Sequence, residues 1–420
     1  MDLKGKKVVI VGAARSGIAA ANLALAMGAV VKITDAKSLT DLEAALSGLK
    51  ERTQVLVEHG AHTSAFVEDA DLVVASPGVW KDALPLQWAR AKGIPVWGEI
   101  EFAWRFCRKP VIAVTGSNGK TTTVTLIRKV LEAAGRKACL CGNVGVPFAQ
   151  EVLAPEVDFF VVEISSFQLE LIETFRPTIA VITNFSQNHL DRHPDMQDYF
   201  NAKKRLFMNQ TEADFAVINA QDAWAQKIEA HTRAKVVRFN KNGLAKNPNH
   251  ALVLEIARIL GITDAVAQKV FDTFPGVEHR TERVRVLDGV EYINDSKATT
   301  VESGRWALTA CEGPLIIICG GHDKGEIDLS VLKSLVRSKV KKMIVLTREE
   351  LVRAKLHAAF DGVVPLEDHT DMTAAVASAR AQAVAGDKVL LSPMFASFDM
   401  FNNFEHRGKI FKEIVNSLTG

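Results

Sequence analysis

No apolar run in this 420-residue sequence reaches the roughly 18–20 residues of a membrane-spanning helix, so no membrane partner is expected. Net charge is also slight. With 51 Lys and Arg against 49 Asp and Glu, the formal charge is +2, short of the basic excess that a broad nucleic-acid surface needs. Cysteine is scarce: Cys107, Cys139, Cys141, Cys311 and Cys319 are odd in number and mostly set in apolar runs. That pattern predicts reduced core thiols in a cytoplasmic protein and no disulfide framework. Cys139 and Cys141 would share one face of a strand, but no second pair or nearby histidine completes a zinc site. Short-period repeats and low-complexity segments are lacking too. The basic N-terminus runs only into the short stretch Val8–Val11 before Gly12, with no small-residue cleavage pattern, and reads as a first strand and not a secretion signal.

What remains is an ordinary globular composition, 48% apolar and 24% charged, long enough for two to four domains. Short β-branched runs alternate with helical patterns, as in parallel sheets with helical crossovers. The runs include KVVIV (7–11), VVKIT (30–34), DLVVAS (71–76), VIAVT (111–115), FFVVE (159–163), IAVIT (179–183), LIIIC (315–319), KMIVL (342–346) and KVLLS (388–392). Most are continuously apolar, as strands covered on both faces must be. Three blocks follow: 1–98, 99–276 and 277–420. The last contains an antiparallel pair, 283–288 and 290–294, turning around Asp288-Gly289. The fold class expected is α/β with three domains, each a mostly parallel sheet flanked by helices: Rossmann-like, phosphate-loop type, and Rossmann-like again.

The strongest local signal is VIAVTGSNGKTTT (111–123). A buried strand ends at Thr115, and a glycine-flanked loop leads into a helix near Thr121. Gly116 and Gly119 let backbone N–H groups approach phosphate oxygens at a helix N-terminus. Lys120 would reach the outer phosphates, and the Thr121 hydroxyl could ligate Mg²⁺. ATP binding is predicted. GAARSG (12–17) also follows a strand and opens a helix, with Asp35 ending the next strand, as in a dinucleotide fingerprint. Its middle glycine is replaced by Ala14. Glu163, closing the FFVVE strand, is either a Mg²⁺ ligand or a helix-capping carboxylate. His189 lies just past the IAVIT strand, at the sheet edge where ligands gather. Composition does not separate Lys203 from Lys204.

The motifs T-G-S-N-G-K-T-T (115–122), E-I-S-S-F-Q-L (163–169) and Y-x-x-A-K-x-R (199–205) resemble those of the Mur ligase family, which includes the folylpolyglutamate synthases. The resemblance runs along essentially the whole chain. It is stronger to the D-glutamate-adding branch, since the D-N-P-R motif of the diaminopimelate- and lysine-adding branches is lacking. The resemblance implies an ATP-dependent amide-forming ligase that joins D-glutamate to UDP-N-acetylmuramoyl-L-alanine through an acyl phosphate, and a monomer is expected. By this likeness Gly116, Ser117, Asn118, Gly119, Lys120, Thr121 and Thr122 bind ATP, with Asn249, Arg280, Asp295 and Lys297. Glu163, His189, Thr121 and Lys203 serve two Mg²⁺ ions, Lys203 as a carbamate formed from CO₂. Arg15, Ser16, Asp35, Ser76, Gly78 and Asn143 bind the UDP substrate; Thr299, Lys324, Ser397 and Phe404 bind D-glutamate. The sequence departs from the family at Asn188, where an acidic residue is usual. It departs again at Gly243–Asn249, where only the two end residues of G-x-H-N-x-x-N persist. Rival readings are a ligase with another amine or acceptor, a nucleotide-responsive binding module, and an NAD oxidoreductase.

Overall fold

The structure is a computed structural model that describes residues 1–186, 192–240, 245, 247–323, 325 and 328–420. The chain forms three sheets in two compact units, Met1–Phe274 and Pro275–Gly420.

The first sheet contains β1 (Lys7–Val11), β2 (Val30–Asp35), β3 (Leu56–His59), β4 (Leu72–Ala75) and β5 (Val96–Gly98) in the order β3-β2-β1-β4-β5, all parallel. The second contains β6 (Val111–Thr115), β7 (Ala138–Gly142), β8 (Phe159–Glu163), β9 (Ile179–Ile182), β10 (Phe215–Asn219) and β11 (Lys235–Phe239). Its order is β11-β10-β9-β6-β8-β7, also all parallel. In both sheets the central strands are buried on both faces, with every residue of β6 buried. That is why they read as continuous apolar runs. Each glycine loop leaves the carboxyl end of an interior strand, the edge where parallel sheets bind ligands.

The segment joining these two sheets is itself core. Ile100, Phe102 and Ala103 in the helix Glu99–Trp104 are fully buried. Glu101 beside them accepts the backbone N–H groups of Glu173, Thr174 and Phe175 at 2.9, 3.0 and 2.9 Å, and Arg105 Nε at 2.6 Å. Burial pushes this carboxyl up, yet those donors outweigh it and hold the group below its usual value. One hydrophobic cluster takes residues from both sheets, which places the two in a single compact unit.

The second unit contains β12 (Glu282–Leu287), β13 (Val290–Asn294), β14 (Leu315–Gly320), β15 (Val340–Leu346), β16 (Leu366–His369) and β17 (Lys388–Met394) in the order β12-β13-β17-β14-β15-β16. Only β12 runs antiparallel, joined to β13 through Asp288 and Gly289, both left-handed at φ 51° and 75°, as a tight hairpin turn requires. No helix among the described residues is long and apolar enough to cross a membrane.

Candidate active site

After β6 the chain turns through Gly116 (φ 143°) and Gly119 (φ 79°) into the helix Lys120–Ala133. Both glycines are needed for two reasons: φ is positive, and a Cβ on Gly116 would lie 2.0 Å from Thr183 Oγ1, one on Gly119 2.7 Å from Asn249 Oδ1. Asn249, one of the two motif residues that persist in its segment, therefore packs directly on the loop.

The loop is stitched to the segment following β9. Ser117 N–H donates to the Asn184 carbonyl at 3.0 Å, Asn118 N–H to Asn184 Oδ1 at 3.0 Å, and Thr183 Oγ1 to the Asn118 carbonyl at 2.6 Å. Ser117 Oγ accepts from Ser186 N–H and donates to the Ser186 carbonyl, each at 2.9 Å. These contacts shape the loop, and sequence reading assigned no role to Thr183, Asn184 or Ser186. Short polar side chains after a strand end were the signal available. Lys120 folds its Nζ onto the Gly116 and Ser117 carbonyls at 2.9 and 3.0 Å. Thr121 is buried and Thr122 half-buried on the same first helical turn.

Lys203 reaches this loop from the helix Met196–Met208. Its side chain is fully buried, with Nζ donating to the Gly116 carbonyl at 3.0 Å and Thr115 Oγ1 at 3.3 Å, 4.5 Å from the Tyr199 ring. Burial, aided by the Lys120 charge and opposed only in part by Glu163, drives its pKa well below the lysine range. Lys204 next to it is half-buried. Structure thus separates two lysines that composition does not.

Glu163 ends β8 with one oxygen satisfied and one not. Oε1 accepts from Asn143 Nδ2 at 2.7 Å, while Oε2 is buried with no hydrogen-bond partner. An orphaned carboxylate oxygen in a buried polar site costs free energy unless something fills its lone pairs. A buried carboxylate oxygen of this kind is a donor suited to a hard divalent cation. Asn143 belongs to this side of the site through Glu163. His189 and Asp191 lie outside the described residues. Nearby His193 is fully buried, bridging Asp198 Oδ2 (2.7 Å) and Ser166 Oγ (2.9 Å), and positions the turn that follows Glu163.

At the first sheet, Ser76 Oγ donates to the Gly12 carbonyl at 2.7 Å, and Asp35 Oδ2 accepts Ala13 N–H at 2.8 Å. These bonds fix the GAARSG loop between β1, β2 and β4. Arg15 is exposed and Ser16 half-exposed at the start of the helix Arg15–Ala26, whose first turn has no acidic residue. Gly78 is exposed in the turn after β4. Arg192 joins this turn to the second sheet. Its guanidinium donates to the Val79 carbonyl (3.1 Å) and Glu170 Oε2 (2.7 Å), and stacks on Trp80 and Phe167 at 4.9 and 4.5 Å.

Within the second unit, Thr281 N–H donates to Asp295 Oδ1 at 3.0 Å, and burial pushes the Asp295 carboxyl up to about 7 against that bond and the Arg280 charge. Arg280 lies between two left-handed residues, His279 (φ 62°) and Thr281 (φ 46°). Lys297 Nζ sits 5.3 Å over the Phe404 ring, so these two residues adjoin. Ser397 is buried, Thr299 and Phe404 are half-buried, and Lys324 lies outside the described residues. Sequence reading missed Arg407. Its guanidinium is fully buried and donates to Ser296 Oγ (3.0 Å), the Ser296 carbonyl (2.9 Å) and the Ala396 carbonyl (3.1 Å). It ties the loop of Asp295 and Lys297 to the loop of Ser397.

The chain is similar to known proteins along its whole length. The MurD-like N-terminal domain of Mur ligases matches residues 6–98, the Mur ligase middle domain 114–264, and the Mur ligase glutamate ligase domain 279–395. The UDP-N-acetylmuramoylalanine–D-glutamate ligase of Koribacter versatilis is 39% identical, covering 100% of this chain and 99% of that protein. The ligase of the same name from Alkaliphilus metalliredigens is 34% identical over 100% and 99%. Among solved structures, the UDP-N-acetylmuramate–alanine ligase of Thermotoga maritima shares the fold at TM-score 0.60 and 17% identity, over 98% of this chain and 99% of that one. FolC of E. coli, solved with ADP, does so at TM-score 0.58 and 15% identity, over 75% and 91%. With full-length relatives at this identity and the same three-sheet fold, the chain belongs to the Mur ligase family.

Proposed function

We propose that this chain is an ATP-dependent ligase that joins D-glutamate to UDP-N-acetylmuramoyl-L-alanine through an acyl phosphate, in peptidoglycan precursor synthesis. Residues 1–98 hold the UDP substrate, 99–276 hold ATP, and 277–420 receive D-glutamate. The enzyme works in the cytoplasm as a monomer, supplying wall growth and division. The observation that carries this reading is the meeting of Lys120 and Lys203 on the Gly116 carbonyl, with a buried Glu163 oxygen left without a partner.

In the proposed reaction the loop N–H groups and Lys120 hold the triphosphate of ATP. The L-alanyl carboxylate attacks the γ-phosphorus and ADP leaves. The amine of D-glutamate attacks the acyl carbonyl, loses a proton, and phosphate departs as the amide forms. Positioning and charge stabilisation supply most of the acceleration in such transfers. Glu163, Thr121, His189 and Lys203 would hold Mg²⁺, which neutralises phosphate charge when bound. Lys203 takes part as a carbamate: its neutral amine attacks CO₂, a C–N bond forms, and one proton is released. Arg15, Ser16, Asp35, Ser76, Gly78 and Asn143 receive the UDP substrate. Asn249, Arg280, Asp295 and Lys297 serve the nucleotide. Thr299, Lys324, Ser397 and Phe404 receive D-glutamate.

The deciding experiment is phosphate release from ATP with UDP-N-acetylmuramoyl-L-alanine, with and without D-glutamate. Release that requires both is expected. Release without D-glutamate, or only with a folate acceptor, overturns the assignment.

A further inference from the structure

At the carboxyl edge of the first sheet, three side chains form a hydrogen-bond chain whose direction can be worked out proton by proton. Thr34 is fully buried on β2, with its Oγ1 2.6 Å from Glu58 Oε2 and 2.7 Å from His62 Nδ1. Glu58 faces Thr34 across the β2–β3 pairing and also accepts from the amide and hydroxyl of Thr63. Burial pushes the Glu58 carboxyl up, but the hydrogen bonds from Thr34 and Thr63 hold it below its usual value. At neutral pH Glu58 is therefore an anion that can only accept. Thr34 has a single hydroxyl proton, and that proton goes to the carboxylate. The oxygen of Thr34 then accepts, so His62 Nδ1 is the donor and carries hydrogen. In the neutral ring this leaves Nε2 as a bare acceptor. Among the described residues, none donates to it.

The ring stands beside the loop that starts at Asp35. Gly60 N–H donates to the Lys37 carbonyl at 2.8 Å, tying the His62 loop to the Asp35 loop, and Asp35 in turn holds Ala13 N–H. All three loops leave the same edge of a parallel sheet, where nucleotides bind. His62 itself is half-buried.

The geometry points to His62 as a specificity residue for the pyrimidine of the substrate, its Nε2 accepting the imide N3–H of uracil. Cytosine has a lone pair at N3, so the same nitrogen would meet an acceptor and the pair would go unsatisfied. Thr34 and Glu58 are positioning residues that fix the tautomer. This assignment deepens the UDP-substrate reading given above and rests on it.

Binding of UDP and of CDP to the full chain, measured by titration calorimetry, tests the assignment. The wild type is expected to prefer UDP, and His62→Phe to lose roughly tenfold of that preference, as for one well-placed neutral hydrogen bond. Thr34→Val, which removes the acceptor of Nδ1 and frees the tautomer, should lower the ratio as well, while Thr34→Ser should keep it. A purely structural role would change thermal stability and leave the ratio alone. An unchanged ratio in both His62→Phe and Thr34→Val, or a wild type indifferent to the base, overturns the inference. Ligase turnover by the wild type, measured alongside, separates the two failures. Turnover with an unchanged ratio sinks His62 alone, whereas a wild type that neither binds UDP nor turns over sinks the substrate reading too.

Discussion

Lys203 is the residue whose removal tests the active site most sharply. Its amine lies fully enclosed against the Gly116 carbonyl and Thr115 Oγ1, with the Lys120 charge nearby. Burial, aided by the Lys120 charge, holds its pKa well below the ordinary lysine range and so favours the neutral amine that CO₂ requires. The sign of the stability effect follows. A lysine whose folded pKa lies below its unfolded value penalises folding at neutral pH, and the penalty grows as pH falls from the unfolded pKa towards the folded one. Lys203→Met should therefore raise the thermal midpoint at pH 7 while phosphate release falls about a hundredfold or more, as for a lost charge-assisted contact of about 3 kcal/mol. Lys203→Ala should lose activity similarly, and acetate should restore part of it, because a carboxylate can occupy the space of the proposed carbamate. Lys204→Ala should stay near wild type. Carbon-13 spectra of the wild type in labelled bicarbonate should show a carbamate resonance that Lys203→Ala lacks. Full activity in Lys203→Ala, or no such resonance in the wild type, refutes the reasoning. Acid rescue of Lys204→Ala in place of Lys203→Ala would move the assignment by one residue.

Lys120→Ala should lower phosphate release by at least about a hundredfold with an unchanged circular-dichroism spectrum, through loss of a charge-assisted contact to the transferred phosphate; near-normal turnover removes the loop from the reaction. Ser397→Ala should raise the KM for D-glutamate roughly tenfold and leave that for ATP unchanged, and an unmoved D-glutamate KM places the carboxylates elsewhere. Glu101→Gln should destabilise the first unit by about 2–3 kcal/mol, as its charged hydrogen bonds are weakened. Because the carboxyl of Glu101 is held below its usual value, its contribution is present above about pH 4.5 and lost as pH falls through the folded pKa. Denaturation curves of wild type and Glu101→Gln should therefore converge in acid, and a constant gap would discount the carboxylate.

The interior strands were legible because strands covered on both faces must be apolar throughout. β1, β4, β6, β8, β9, β14 and β17 all lie inside their sheets and read plainly. The strands that escaped notice were mostly edges. LVEH of β3, KVVRF of β11 and LEDH of β16 have one open side and tolerate polar residues. β10 is interior and was also missed, although its run Phe215–Ile218 is apolar.

The phosphate loop was legible for a different reason: its glycines answer to local backbone geometry, which short sequence patterns record. Side chains whose partners come from distant loops leave no such trace. Arg407 is the clearest case. In FEHRG it reads as one more charge on a helix start, yet the folded chain encloses it completely. No carboxylate touches its guanidinium among the described residues; carbonyls of Ser296, Phe395 and Ala396 and the Ser296 hydroxyl receive its protons. Burial pushes its pKa down to about 10, with the Asp399 charge opposing, so the cation persists at neutral pH. What keeps a charge in the core is thus a set of backbone oxygens in two irregular loops, and only the fold brings those loops together. An arginine held this way serves the loops more than the helix that carries it, since it binds carbonyls that lie outside any strand or helix. The loops so held are those of Asp295, Lys297 and Ser397. Their geometry therefore depends on a residue that neither motif spacing nor helical periodicity distinguishes from its solvated neighbours.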